Sequence, residues 1–278
     1  MQYFDSEFEF YYFSKNEEIN INQDVILHLA GKAHDLKNTS NAEEYYIVNT
    51  ELTKRVFDNF LESDAKVFIT LSSVKAVADD LECELTEEYI PNPISHYGKS
   101  KLLAEQYILR KQIPEGKRVY ILRPCMIHGP GNKGNLNLLY KIVRNGLPWP
   151  LGVFENKRSF CSIDNLCFII RELIKNDEIP SGVYNIADDN PISTNELINL
   201  ISVVLDKKPH TWNVPQSLIK SISKLGDVLR FPLTSERLSK LTETYIVSNN
   251  KIKNAINKPL PISARDGLIK TFNSFNNA

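Results

Sequence analysis

Cysteine, glycine and long hydrophobic runs are all scarce in this chain of 278 residues, and each scarcity argues against a class of protein. The four cysteines show no Cys-x-x-Cys spacing, and no paired histidine accompanies Cys161 and Cys167, so a zinc site is not expected. Reduced thiols of this kind are typical of a cytoplasmic protein. No apolar run approaches the roughly 18 residues that a membrane-spanning helix needs. The acidic, aromatic start MQYFDSEFEFYYF lacks the basic stretch of a secretory signal.

An excess of either charge is also missing, because 33 lysines and arginines face 34 aspartates and glutamates, for a net charge of −1. We therefore expect no nucleic acid and no membrane as a partner, since the chain as a whole would not attract a polyanion. The length exceeds one minimal core and fits one large α/β domain or two smaller domains.

The first half of the chain shows a regular alternation of strand and helix patterns. Buried strand patterns rich in β-branched residues cover 24–31, 66–73 and 118–124, and helical spacing covers 43–62 and 97–111. This alternation predicts an α/β fold with a parallel, doubly wound sheet. We expect the ligand in a crevice at the carboxyl ends of its strands.

The second half is mostly helical in pattern and predicts a smaller lobe. Ser193 and Glu196, for example, have the spacing of a capping box at the start of a helix. The expected division is 1–130 with about 153–188 for a Rossmann-like core, and about 131–152 with 189–278 for the lobe.

A serine, a tyrosine and a lysine form the strongest chemical pattern. Ser73 ends the strand pattern FITLSS, and Tyr97 and Lys101 stand four residues apart at the start of a helical pattern. Positions i and i+4 share one face of a helix, so the ammonium is expected to lower the pKa of the phenol. Such a phenol can remove or donate a proton at a hydroxyl group, while a strand-end serine holds the same oxygen.

Four further segments occur in the order expected for one known family. They are HLAGKAH at 28–34, VNTELT at 48–53, LRPCMIHGPGNKGN at 122–135 and NKRSFCSIDNL at 156–166. With Tyr-x-x-x-Lys, they resemble the extended short-chain dehydrogenase/reductase family, also known as the NAD-dependent epimerase/dehydratase family, which acts on nucleotide sugars. GLPWPLG and the Asn-x-Arg-Ser that follows resemble a bacterial surface-polysaccharide branch of 4-epimerases and 4-ketoreductases.

The resemblance implies roles for individual residues around a bound NAD or NADP. Ser73 and Tyr97 would contact the substrate O4, and Lys101 would also bind the nicotinamide ribose. The other residues implied along the cofactor are Ala30, Gly31, Asn49 and Pro124.

The resemblance also implies a nucleotide-sugar substrate and residues that bind it. Arg158 and Arg237 would hold the diphosphate, because a guanidinium suits phosphate oxygens. Asn135 would lie near the sugar.

One part of the family pattern is missing from this sequence. The family begins with a strand, a Gly-x-x-Gly-x-x-Gly turn and a helix that together hold the cofactor pyrophosphate. The first glycine here is Gly31. We therefore expect that about 45 residues of the family pattern, including two strands, are absent, and that this chain binds NAD(P) weakly. The sheet edge left behind would recruit residues 8–13 as a strand, or pair in a homodimer.

Three functions remain open at this point. The first is a nucleotide-sugar 4-epimerase of the UDP-glucose or UDP-N-acetylhexosamine type. The second is a UDP-4-keto-6-deoxy-hexosamine 4-reductase. The third is an inactive remnant that binds a nucleotide sugar or a partner.

Overall fold

The computed structural model describes residues 8–9, 11–12, 22–32, 41–132, 134–229 and 234–275. These residues form two compact units. The first unit is Met1–Cys125 with Asn165–Ala187 and Val247–Leu260, and the second is Met126–Asp164 with Asp188–Ile246 and Pro261–Ala278. Within the described residues, no helix is long and apolar enough to cross a membrane.

The strands are β1 (Val25–His28), β2 (Val67–Leu71), β3 (Arg118–Pro124), β4 (Met126–His128), β5 (Phe160–Ser162) and β6 (Gly182–Ile186). The helices are α1 (Ala42–Tyr45), α2 (Leu52–Glu62), α3 (His96–Leu109), α4 (Asn135–Arg144), α5 (Ile163–Lys175), α6 (Thr194–Val204), α7 (Gln216–Leu229), α8 (Ser235–Thr242), α9 (Asn250–Ile256) and α10 (Ala264–Phe275). A π-helical turn, Tyr46–Glu51, joins α1 to α2, and a 3-10 turn, Val74–Ala76, follows β2.

The first unit is built on a parallel sheet in the order β1-β2-β3-β6, with helices packed against it. This arrangement is Rossmann-like and confirms the predicted fold class. The central strand β2 is buried along its length because α2 and α3 contribute apolar side chains to the same core. Phe68 of β2, for example, packs against Phe57 and Phe60 of α2 with ring centroids 5.0 and 5.3 Å away. Burial on both faces explains why these strands have continuous apolar sequences.

The second unit is mostly helical around the short parallel pair β4–β5. Its core includes Phe160 of β5, Leu197 of α6 and Leu268 and Phe272 of α10. The capping box at the start of α6 is confirmed in part, since the Ser193 hydroxyl accepts a hydrogen bond from the backbone N–H three residues on, at 3.0 Å.

Three segments belong to a different unit than expected. Residues 126–128 and 160–162, both expected in the core, pair with each other as β4 and β5 of the second unit. Residues 250–256, expected in the lobe, form α9 of the first unit, where Lys251 donates a hydrogen bond to the Val183 carbonyl of β6 at 2.9 Å. The assignment of one unit to the cofactor and the other to the substrate stays a prediction.

The predicted edge strand over residues 8–13 is not seen in the part that the structure describes. Phe8, Glu9, Tyr11 and Tyr12 adopt no strand conformation, and the other two residues lie outside the described part.

Candidate active site

The turn after β2 and the start of α3 bring Ser73 and Tyr97 together. The Ser73 backbone is extended, and its side chain accepts a hydrogen bond from the Lys75 amide at 3.2 Å, which starts the 3-10 turn. The Ser73 side chain lies close enough to the Tyr97 phenol to lower the pKa of that phenol by hydrogen bonding. The pairing of a strand-end serine with the first-turn tyrosine of the next helix therefore exists in the folded chain.

Two local devices fix the start of α3. Ser95 is the N-cap, and its hydroxyl accepts a hydrogen bond from the Gly98 amide. Asp79 reaches the same point, with its carboxylate accepting from the backbone amides of Ile94 and Ser95 at 2.7 and 3.0 Å. These hydrogen bonds hold the pKa of Asp79 below its usual value, against the effect of burial.

Tyr97 does not have the lowered pKa that the helical spacing predicted. Burial raises the pKa of its phenol, and the hydrogen bond with Ser73 opposes that effect. Tyr45, whose ring packs edge-on at 6.2 Å between centroids, raises the pKa further. The prediction was wrong for this structure because it counted a nearby cation and left out desolvation.

Lys101 lies one helical turn after the part-buried Tyr97 and is itself buried. Its ammonium donates a hydrogen bond to the Leu71 carbonyl at the end of β2, at 2.9 Å. Burial lowers the pKa of Lys101 to about 8, and the charge of Glu105 acts in the opposite direction. With a pKa of about 8, most Lys101 side chains still carry a proton at neutral pH.

The π-helical turn places Asn49 beside this lysine. Asn49 is fully buried, accepts a hydrogen bond from the Lys32 amide at 2.7 Å and donates to the Ser100 hydroxyl at 3.0 Å. Gly31, at the end of β1, passes so close that an added Cβ would lie 3.0 Å from the Lys101 Nζ and 3.2 Å from the Asn49 Oδ1. Single π-helical turns are often found at functional sites, and this one carries a residue singled out from the sequence.

The remaining residues predicted along the cofactor also lie at the carboxyl ends of the strands of this sheet. Ala30 is exposed just after β1, and Pro124 ends β3, opposite Ile186 of β6. The carboxyl ends of parallel strands are where Rossmann-like folds bind nucleotides. The residues present therefore fit the nicotinamide end of a dinucleotide. The glycine turn that would hold its pyrophosphate is not supplied before Gly31.

Three predicted substrate residues belong to the second unit. Arg158 forms backbone bridges with Ile192 and Tyr245, and its guanidinium pairs with Glu243 at 3.2 Å. Asn135 is the exposed first residue of α4. Arg237 lies on α8, and its side chain is outside the described part of the structure.

Sequence reasoning missed two carboxylates that support this region. Asp79 sits in a loop with no repeating pattern, so nothing local marks it. Glu105 does carry a signal, since it continues the four-residue series Tyr97, Lys101 on α3.

A Rossmann-like parallel sheet with a serine at one strand end, beside the tyrosine of a Tyr-x-x-x-Lys helix, is typical of a short-chain dehydrogenase/reductase. Comparison with known families agrees. Residues 15–187 match the model of the NAD dependent epimerase/dehydratase family, and the chain belongs to that family.

Curated relatives at 30% identity are sugar 4-epimerases. One is a UDP-glucose 4-epimerase of Vibrio cholerae, aligned over 261 residues that cover 91% of this chain and 77% of the relative. Another is the N-acetyl-alpha-D-glucosaminyl-diphospho-ditrans,octacis-undecaprenol 4-epimerase of Escherichia coli O157:H7, with 83% of this chain and 67% of the relative covered.

Solved structures support the same fold. The UDP-glucuronic acid 4-epimerase of Bacillus cereus in complex with NAD superposes with a TM-score of 0.70 at 18% identity, covering 92% of this chain and 75% of that one. MoeE5 in complex with UDP-glucose and NAD gives the same score and identity, covering 92% and 80%.

Proposed function

We propose that this chain is an NAD(P)-dependent nucleotide-sugar 4-epimerase, acting on UDP-glucose or a UDP-N-acetylhexosamine in polysaccharide precursor synthesis. The observation that carries the proposal is the placement of the Ser73 side chain beside the Tyr97 phenol, where it lowers the pKa of that phenol, on a helix that also anchors Lys101 at the same strand end. The relatives described above support reaction at position 4 of a sugar.

Tyr97 is the group that moves the proton at the sugar O4. Its phenolic oxygen would take the O4 proton in the oxidative half of the cycle and return it in the reductive half. Ser73 would hold the same oxygen by a hydrogen bond. Burial raises the pKa of Tyr97. In the working enzyme, the ammonium of Lys101 would favour the phenolate that proton removal requires, because an opposite charge nearby favours the charged form. NAD or NADP, when bound, supplies the acceptor and donor of the C4 hydride.

The substrate diphosphate is the proposed ligand of Arg158, with Arg237 and Asn135 as further contacts. A part-buried guanidinium offers two parallel donors to phosphate oxygens, which is stronger than a single neutral hydrogen bond. We place the enzyme in the cytoplasm, where nucleotide sugars are used, and propose a homodimer as its working form.

Proton NMR of the full chain with UDP-glucose or UDP-N-acetylglucosamine, over a range of added NAD, tests this function. We expect the galacto epimer to grow to equilibrium without net accumulation of NADH. A 4-ketoreductase would instead consume NADPH with a 4-keto sugar and form no epimer. UDP-sugar binding without turnover at any NAD concentration would support the inactive remnant. Either result would contradict the proposal.

A further inference from the structure

Glu105 is a buried carboxylate that belongs to none of the roles assigned so far. Arg123 of β3 binds it with two donors, its Nε 3.0 and 3.1 Å from the two carboxylate oxygens and its Nη2 2.6 Å from Oε2. The Ser72 hydroxyl donates a further hydrogen bond, to Oε1. A paired, charge-assisted contact of this kind fixes the plane of the carboxylate.

The hydrogen bonds among Arg123, Glu105 and Ser72 hold the end of β2, which carries the candidate active site. Ser72 lies between Leu71, whose carbonyl accepts from Lys101, and Ser73, which binds Tyr97. The Ser72 amide is itself fixed by the Leu122 carbonyl of β3 at 2.7 Å. Ser72, Lys101 and Glu105 line one small cleft.

Stability alone does not require an ion pair at this place. Replacing a buried ion pair with apolar side chains of similar volume is often neutral or stabilising. What Glu105 provides, and an apolar side chain cannot, is an acceptor for the Ser72 hydroxyl and a negative charge one helical turn from Lys101.

Resting on the function proposed above, we propose that Glu105 is a positioning residue. It fixes the Ser72–Ser73 turn against α3, and its charge keeps Lys101 in the ammonium form that Tyr97 needs. Arg123 holds the carboxylate in place for both tasks. Glu105 touches neither substrate nor cofactor in this role and acts only through its neighbours.

The charges around Lys101 agree with this assignment. Burial lowers the pKa of His28 of β1 to about 4, and the charge of Lys101 acts in the same direction. His28 is therefore neutral at the working pH. Tyr97, on the same helix, has a raised pKa and is neutral as well. Among His28, Tyr97 and Glu105, the negative charge belongs to Glu105. That charge raises the pKa of Lys101 and so opposes the effect of burial.

Removal of that charge should therefore lower the pKa of Lys101, which then loses its proton at a lower pH. Glu105→Gln keeps the shape and the acceptor oxygen but leaves Arg123 unpaired. The double variant Glu105→Met with Arg123→Met removes both charges at similar volume. It should fold even if the single variant does not, because it leaves no unpaired buried charge. Glu172→Gln is the matched control, because Glu172 also forms an ion pair, with Lys258 at 2.6 Å, within the same unit.

The titration of Lys101 can be followed directly by NMR of protein labelled with ¹³C at the lysine Cε. The Lys101 signal is identified by its loss in Lys101→Met. We expect its midpoint near the value of about 8 in the parent and a shift of about one pH unit or more to lower pH in Glu105→Gln, which removes the negative charge and keeps that of Arg123. The double variant removes both charges, so its shift should have the same direction and be smaller, and Glu172→Gln should show no shift. The shift in Glu105→Gln should also appear in the alkaline limb of the turnover profile, with kcat lowered about tenfold and KM little changed.

An unshifted Lys101 titration in the folded variants would overturn the inference, as would a folded double variant with parent turnover. Loss of the fold in both variants would also overturn it, because the network would then serve stability alone. The titration needs neither cofactor nor substrate. A parent chain that shows the shift but no epimerisation would therefore contradict the proposed function and leave the role of Glu105 intact.

Discussion

At the scale of single residues, the candidate site consists of polar side chains whose hydrogen bonds are made within the protein. Asn49, Ser73 and Lys101 are all buried, and each has a named partner. An unpaired buried polar group costs about 1–3 kcal/mol, so these pairings hold the side chains in one orientation before any ligand arrives. The site is thus organised by the fold.

Arg158 gives a prediction at this scale. We expect Arg158→Ala to weaken UDP binding by about 1.5–3 kcal/mol, or roughly tenfold to 150-fold, because a charge-assisted phosphate contact is lost. Isothermal titration with UDP measures it. Arg265→Ala is the control, since Arg265 also pairs with a glutamate, Glu196, in the second unit. Unchanged UDP affinity, or an equal loss in the control, would mean that Arg158 has no specific role in binding the diphosphate.

The sequence predicted the reactive residues better than their protonation. Ser73, Tyr97 and Lys101 could be found because their spacing is local and fits a known pattern. The raised pKa of Tyr97 could not, because it depends on how deeply the folded chain buries the ring. The Glu243 partner of Arg158 was equally out of reach, since 85 positions separate the two residues along the chain.

At the scale of elements, the first turn of α3 decides whether Tyr97 meets Ser73. Gly98 sits where an added Cβ would lie 2.2 Å from the Lys75 carbonyl oxygen and 2.8 Å from the Pro93 Cβ. The backbone of α3 therefore approaches the turn after β2 more closely than any larger residue allows.

Gly98→Ala should push these two elements apart. We expect a loss of about 1–3 kcal/mol in the free energy of unfolding, the usual cost of overpacking, together with reduced turnover. Urea denaturation measures the first effect. Lys99→Ala, at an exposed neighbouring position, should stay within about 0.5 kcal/mol of the parent. A Gly98→Ala protein as stable as the parent would show that the close contact is easily relieved.

Long elements were predicted well and short ones were not. Strand β3 has the predicted bounds, and the helix predicted at 43–62 is present, but the π-helical turn within it has no sequence signal of its own. The three-residue strands β4 and β5 are too short for a period of two to be recognised. Because β5 pairs with β4, residues 160–162 belong to the second unit.

At the scale of the whole molecule, the chain combines a proposed nicotinamide-side site with a sequence that has no glycine before Gly31. A dinucleotide pyrophosphate normally rests on the amides and the dipole of a helix N-terminus that follows such glycines. In the sequence given, no such glycine turn precedes Gly31 to supply these donors.

Weak binding of NADH and NADPH is the prediction that follows. A fluorescence titration of the purified chain should give a dissociation constant well above the micromolar range. A UDP titration on the same preparation checks that the protein is folded and able to bind. Micromolar or tighter binding of either dinucleotide would mean that another loop holds the pyrophosphate.

The central claim is that Tyr97 is the acid–base group of a sugar 4-epimerase, and one comparison tests it most directly. The rate of epimer formation is measured at saturating NAD for the parent, for Tyr97→Phe and for Tyr107→Phe, a control on the same helix whose hydroxyl binds Asp58. We predict that Tyr97→Phe lowers turnover by about 10²–10⁴-fold while UDP binding is retained. Tyr107→Phe should keep most of the parent rate. A Tyr97→Phe protein that epimerises UDP-sugars at close to the parent rate would contradict the claim.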